Sequence, residues 1–580
     1  MLLKIRDLVL TYQLVKDIEK KPEILTNLSL EELKMVGVIL KKSRKLLPIL
    51  DSLKLSQKTF ECAIDFPTYI YEQKARYLAE RLGGTVERFE ETPPSTQEEN
   101  PTPALPLSRE GAKDASNNSP DKGRLGGVSS TLFILKLPNN FPLNVNRVLL
   151  YFPSTPAEDT LNALRAIPQA EGRITLIIGA DGAYQRKLLN TSQDRSNKYV
   201  APQSKQITEL LLSPNPEPVF AKILAEQLAL QQLSPYQIGG GVNKEAIFFG
   251  RRELIAQIIN RDPANYLIVG GRQMGKSSLL KALERRYAEN TQVRVYYQTL
   301  SNETLIPRLA AALDLPETES AQTFAQALEA QLKAEGKRYI FLIDEADLFI
   351  AHEQAQGYPI LSVFRRLSEQ GQCSFILAGF WQLYQHAVLD YQSPLRNFGE
   401  VLEVAALEQD ACEQLATQPM QTLSLSYANP SLVANMIVQC GQRANLIAYV
   451  CHQVIQQLDA SQRVIEAGDI HRVLEGRDLQ KRLAGWSVGI GEQEQAYDRL
   501  VVYSTIQKDS FTVGELMQEL EQQGVRFDSA ELERALSRLE LAFVLKKTQS
   551  RYSYCVPLFV DYMREDEAEV RRISELKMWS

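Results

Sequence analysis

Residues 266–280 read YLIVGGRQMGKSSLL: an apolar run meets a glycine-rich turn, and a lysine and two serines open a helical pattern. Gly270, Gly275, Lys276 and Ser277 fit the spacing GxxxxGK[ST]. The chemistry of a phosphate-binding loop needs each of these types. Glycines let backbone N–H groups wrap phosphate oxygens, and the helix start adds the positive end of its dipole. Lys276 is expected to reach the β- and γ-phosphates, and the Ser277 hydroxyl to ligate Mg²⁺. The expected nucleotide-binding set from this stretch is Gly270, Gly271, Arg272, Gln273, Met274, Gly275, Lys276, Ser277 and Ser278.

A second stretch, RYIFLIDEADLF (338–349), reads as a buried strand that ends in Asp344-Glu345. A carboxylate at the carboxyl edge of a neighbouring strand can hold the Mg²⁺ shell, the role expected for Asp344. Glu345 beside it is placed to polarise an attacking water as general base. Lys276, Asp344 and Glu345 form the expected catalytic set, with ATP and Mg²⁺ as cofactors. Asp347 and Glu353 read as solvent-facing or capping groups.

These residues need a scaffold. Strand patterns recur at YLIVGG, QVRVYYQTL (292–300), RYIFLIDE, SFILAGF (374–380) and VLEVAAL (401–407), with helical patterns between them. Alternation of this kind predicts a doubly wound α/β domain over 248–407, with its site at the carboxyl ends of the strands. The strand order, with a glutamate beside the strand-end aspartate, resembles the additional-glutamate P-loop ATPases, including the AAA+ and STAND (signal-transducing ATPases with numerous domains) groups.

Further stretches carry the same resemblance. Phe249-Gly250-Arg251-Arg252-Glu253-Leu254 resembles the FxGRxxEL motif of STAND and archaeal-type AAA ATPases, one residue shorter. The resemblance implies that Phe249, Gly250 and Arg251 line the adenine pocket. It also implies a helical lid over 408–480, in which Arg443 is a candidate sensor. Arg396 and Gln382 are further sensor candidates. The strand 374–380 ends in Ala-Gly-Phe-Trp, where AAA+ motors carry a polar residue, with Gln382 the nearest substitute. That argues for a slow switch rather than a processive motor.

At 580 residues the chain exceeds what one core usually supports. Residues 1–91 read as a helical domain, in which Ser29 and Glu32 frame a capping box. Residues 92–127, rich in proline, serine and glycine, read as a disordered linker. Residues 128–238 alternate strands and helices, predicting a small α/β domain with a largely parallel sheet. Its helical patterns include 157–167, and the loop IGADGAYQRK (178–187) reads as a structural turn. Gly239-Gly240-Gly241 reads as a flexible junction. Residues 490–565 carry a winged-helix pattern, with Asp528 capping a helix whose apolar face includes Leu532, Ala535, Leu536 and Leu539. A tail follows over 566–580.

A net charge of −6 gives no global reason to bind nucleic acid or anionic membrane. In the second winged-helix helix, Glu531, Glu533 and Glu540 balance Arg534 and Arg538, so DNA recognition is not favoured. Six scattered cysteines without CxxC pairs fit a reducing cytoplasm. No apolar stretch has the length to span a bilayer, and the N-terminus lacks a signal-peptide core. The expectation is a cytoplasmic, STAND-like ATPase switch. Protein partners would act through residues 1–238, and the chain would self-associate. The alternatives are a DNA-handling AAA+ ATPase and a nucleotide-binding scaffold without turnover.

Overall fold

The computed structural model describes residues 2–88, 132–153, 173–179, 198–261, 264–300, 305–318, 320–459, 461–487, 489–564 and scattered positions from 570 to 579. The expected linker 92–127, the helical pattern at 157–167, and most of the loop 178–187 and of the tail 566–580 lie outside the described residues. The chain divides into two compact units, Met1–Leu233 and Ser234–Ser580.

The first unit joins what the sequence read as two domains. Strand β1 (Thr85–Arg88) pairs antiparallel with β2 (Leu132–Lys136), which pairs antiparallel with β3 (Arg147–Tyr151). Parallel pairing then continues to β4 (Thr175–Ile177) and β5 (Tyr199–Val200). Within 128–238 the sheet therefore has two parallel pairings and one antiparallel, and β1 from outside that range makes the whole sheet mixed. The β1 segment TVER has no apolar run, so nothing in its pattern announced a strand. Helix Leu30–Leu40 begins at the predicted capping box, where Ser29 and Glu32 satisfy each other's backbone N–H groups. Its first residue also donates to Ser204 Oγ (2.8 Å), which fixes it to helix Ser204–Leu212.

In the second unit the strands are β6 (Tyr266–Val269), β7 (Val293–Thr299), β8 (Arg338–Asp344), β9 (Cys373–Gly379) and β10 (Glu400–Glu403). All pair in parallel, in the order β10-β6-β9-β8-β7. This is a P-loop NTPase α/β fold, and the five strands fall where the apolar runs placed them. The whole of β6 and β9 is buried, as parallel strands covered on both faces must be. One detail differs from the sequence reading. The Asp344 strand is not the direct neighbour of the P-loop strand, because β9 lies between them.

Helices Gln409–Thr422, Pro430–Gln439, Ala444–Gln457, Ala467–Leu474 and Arg477–Leu483 follow, with β11 (Ser426–Tyr427) paired to β12 (Val464–Ile465). The C-terminal part holds helices Glu492–Thr505, Val513–Gln522 and Ser529–Leu541, then the hairpin β13 (Leu545–Thr548) and β14 (Arg551–Tyr554). Phe511 adds a bridge to Tyr552 on the hairpin. Thr512 and Glu515 form a reciprocal cap, and Asp528 accepts from Ala530 N and Glu531 N. Leu532, Ala535, Leu536 and Leu539 are buried as expected, and Arg538, one of the charges weighed against DNA recognition, is buried with them. No described helix is long and apolar enough to cross a membrane.

Candidate functional site

The phosphate-loop sequence leaves β6 at Gly270 and enters helix Lys276–Ala288 through Gly275, whose φ of 100° favours glycine. Gln273 at the loop crest is also left-handed, at φ 62°. Lys276 is buried, and its Nζ donates to the carbonyls of Gly270 and Gly271, both at 2.8 Å. Burial lowers its pKa, while Glu345, Asp347 and Asp344 pull it back up. The lysine is thus held by the loop it would serve.

Asp344 ends β8 and is 1% exposed. Its Oδ1 accepts from Glu345 N (3.0 Å) and its Oδ2 from the Tyr297 hydroxyl (3.0 Å). Both donors are neutral, and the carboxylate makes no ion pair among the described residues. A buried carboxylate supported only this far retains accepting capacity that a hard cation fits. With the Ser277 hydroxyl in the first turn of the P-loop helix, the donor set is all oxygen, as Mg²⁺ prefers.

Glu345 follows with a left-handed backbone (φ 56°) and an exposed side chain. Partial desolvation, then the Asp344 charge, raise its carboxyl above the usual range, and Lys276 draws it down. Such a group, poised to hold a proton, suits general-base work.

Asp347 is half-buried and takes the capping role of the two expected. Its Oδ1 accepts from Gln382 N (2.9 Å) and Leu383 N (3.2 Å), and its Oδ2 from Phe380 N (2.7 Å). It ties the end of β9 to the turn after Asp344-Glu345. Gln382 enters this arrangement through its backbone. Glu353 is fully buried and its Oε2 accepts from Ile360 N and Leu361 N, both 2.8 Å, capping helix Pro359–Glu369.

The adenine-pocket expectation divides. Phe249 and Gly250 line a cleft of about 430 Å³ with Phe248, Ile255 and Arg286, and no residue of 270–278 lines it. Arg251 is buried, and its guanidinium donates to Ala405 O (2.6 Å), Ala406 O (2.8 Å) and Met274 O (3.2 Å). Neither an exposed salt bridge nor a free base-contacting group, it clamps the phosphate loop to the strand end after β10. The carboxylate of Glu408 accepts its backbone N–H.

Of the three sensor candidates, Arg443 reaches the loop. Its Nη2 donates to Arg272 O (3.4 Å), and two residues on Asn445 Nδ2 donates to Gln273 Oε1 (2.6 Å). Arg396 instead lies 3.5 Å from the Tyr391 ring centroid and donates to Val388 O (3.3 Å). The sequence reading missed a further contact: a Cβ on Gly271 would stand 2.9 Å from the Ala542 backbone, so the C-terminal part touches the phosphate loop directly.

It also missed the residues beneath that contact. Arg538 Nε donates to Asp498 Oδ1 (2.8 Å), Nη2 to Glu494 O (2.9 Å), and its guanidinium lies 5.1 Å from the Trp381 ring. Trp381 Nε1 donates to Glu494 Oε1 (3.2 Å). The available signal was spacing: Arg538 falls three residues after Ala535, at the edge of an apolar stripe.

Residues 259–385 match the family model of an AAA domain. Three solved structures are similar. A Walker-type ATPase of Pyrococcus abyssi shares 14% identity and a TM-score of 0.41, covering 57% of this chain and 99% of that one. The Orc2 protein of Aeropyrum pernix shares 13% identity and a TM-score of 0.31, covering 56% and 93%. The RuvB Holliday junction branch migration motor of Thermotoga maritima shares 12% and 0.30, covering 53% and 92%. No curated protein matches the chain. The stretch that matches the AAA domain model, 259–385, is the one that bears the phosphate loop and the Asp344-Glu345 strand end of the P-loop NTPase fold.

Proposed function

We propose that residues 234–580 work as an ATP-dependent switch of STAND type, with residues 408–480 as lid and 490–565 as a winged helix. The observation that carries this reading is that three consecutive loop residues each meet a different C-terminal group. Gly271 meets Ala542, Arg272 meets Arg443, and Gln273 meets Asn445. A ligand that changes this loop must change those contacts, which is what a switch requires. The first unit would carry the sensor or effector surfaces, and self-association would accompany the ATP state.

Within the site, Lys276 binds the β- and γ-phosphates, exchanging its two carbonyl partners for phosphate oxygens. Ser277 and Asp344 hold Mg²⁺, which supplies charge neutralisation when bound. Glu345 takes the proton of the attacking water. Gly270–Ser278 orient the nucleotide through backbone N–H groups. Phe249 and Gly250 remain the proposed base-side residues; Arg251 acts on their position through the loop it clamps.

The test is mass and turnover together. Light scattering after size exclusion, on wild type and Glu345→Gln with ADP or ATP, should show an ATP-dependent change that the variant retains for longer. Identical behaviour in both nucleotides would overturn the switch. Phosphate release by wild type, lost in Glu345→Gln, would rule out a scaffold without turnover.

A DNA-handling role is the second reading. Lys546 and Lys547 on β13 are exposed and favour it. Against it, Arg538 is buried and Arg551 is paired with Glu515 (3.1 Å), which depletes the phosphate footprint. Duplex binding that weakens steeply with salt would establish this second role.

A further inference from the structure

The metal-binding carboxylate proposed above is held from β7 by a residue that no phosphate-loop pattern contains. In the parallel register Thr299 stands opposite Asp344, and Tyr297 two residues earlier shares its face of the sheet. The Thr299 hydroxyl donates to the Tyr297 hydroxyl (3.0 Å), which donates onward to Asp344 Oδ2 (3.0 Å). Each hydroxyl has one proton, so this chain runs in one direction and ends on the carboxylate. The tyrosine hydroxyl thereby fixes one oxygen of Asp344 and leaves its remaining lone pairs for a cation.

The other face of the Tyr297 ring leads back along the chain. Lys281 Nζ lies 6.0 Å from the ring centroid and donates to Gly241 O (3.1 Å). Gly241 is the last residue of the triglycine run whose composition predicts a flexible junction. Here it is buried, and a Cβ on it would come within 2.8 Å of Ser277 Cβ. Val242 N donates to Ser278 Oγ (3.0 Å), and Arg285 donates to Asn243 O (3.0 Å) and Glu245 (3.0 Å). Ser278, Lys281 and Arg285 follow at spacings of three and four, so one stripe of the P-loop helix laces down the whole segment.

We propose that Tyr297 is the positioning residue of Asp344 for Mg²⁺, and that Lys281 couples its ring to the docked 241–245 segment. The inference rests on the ATP and Mg²⁺ reading of this site. It gives the chain outside the AAA match a direct influence on metal affinity. Removing a hydrogen bond that orients a ligating carboxylate weakens metal binding by roughly ten- to a hundredfold.

Binding of a fluorescent ATP analogue to the full chain, titrated over Mg²⁺ and repeated in EDTA, tests this without turnover. Tyr297→Phe should raise the half-saturating Mg²⁺ about tenfold while leaving affinity in EDTA near wild type. Thr299→Val, which removes only the outer donor, should shift it in the same direction by less, and serves if Tyr297→Phe does not fold. Lys281→Met should also raise it and speed amide exchange at Val242. An unchanged Mg²⁺ dependence in Tyr297→Phe and Thr299→Val would overturn the positioning role. Faster exchange at Val242 without any Mg²⁺ shift in Lys281→Met would overturn the coupling. Wild type that binds no nucleotide in either medium would overturn the ATP reading itself, a distinct failure.

Discussion

The Arg538 guanidinium lies 5.1 Å from the Trp381 ring and 2.8 Å from Asp498, in a setting where both charged side chains are sealed from solvent. Glu494 receives the Trp381 indole N–H on the same side. The turn after β9 and the C-terminal helices are thereby joined through the ion pairs of Arg538 with Asp498 and Glu494 (3.4 Å) and one aromatic ring.

Breaking this pair should be costly, because a lone buried charge remains. Arg538→Met is expected to lower unfolding free energy by about 3–5 kcal/mol in urea denaturation. The double variant Arg538→Met/Asp498→Leu should recover most of that loss, since neither charge is then stranded. Arg538→Lys should not rescue, because a single ammonium cannot reproduce a fork that reaches Asp498 and the Glu494 carbonyl together.

Gly271→Ala tests the contact between phosphate loop and C-terminal part. The added methyl would stand 2.9 Å from Ala542 backbone atoms, which cannot swing away as a flexible side chain would. The expected outcome is a folded AAA-type core with its C-terminal part displaced. Faster tryptic cleavage at Lys481 and Arg482, with little change in circular dichroism, would report it.

Glu345 should impose a pH-dependent cost on stability. Desolvation and the Asp344 charge raise its folded pKa, so the fold disfavours its ionised form. Its favourable contribution is complete below the ordinary glutamate value, about 4.3, and is lost as pH rises through the raised folded value. Glu345→Gln should therefore melt higher than wild type at pH 7, and the difference should vanish near pH 4. The acid limb of any ATPase profile should likewise lie above the ordinary carboxylate range.

Glu353→Ala should unsettle the start of helix Pro359–Glu369. It removes the acceptor for two buried backbone N–H groups at 2.8 Å, leaving both unsatisfied. A loss of roughly 1–3 kcal/mol is expected from the desolvation cost of such groups. Chemical denaturation measures the loss, and Glu353→Gln, which keeps an acceptor oxygen, should recover part of it.

What the sequence made legible was whatever recurs along the chain or at fixed spacing. The five core strands, the Ser29 and Asp528 caps and the loop around Lys276 all announce themselves by local pattern. Pairings across long separations did not. Tyr297 with Asp344, Arg251 with Ala405 and Arg538 with Asp498 depend on which elements the fold brings together, and the residue types alone look ordinary. Strand β1 escaped for a different reason, having too little apolar character to register. In the glycine run, Gly239 and Gly240 are exposed, whereas Gly241 is packed against Ser277; glycine permits both a loose chain and a close approach, and only the packing distinguishes them.

That close approach bears on where the nucleotide module can be cut. By pattern, a fragment starting at Phe248 would contain every residue of the phosphate loop and its carboxylates. It would also expose the stripe of Ser278, Lys281 and Arg285, whose partners lie upstream at Val242, Gly241 and Asn243. The portable unit therefore begins before the glycine run, and a shorter excision would carry the motif without the backbone that braces it.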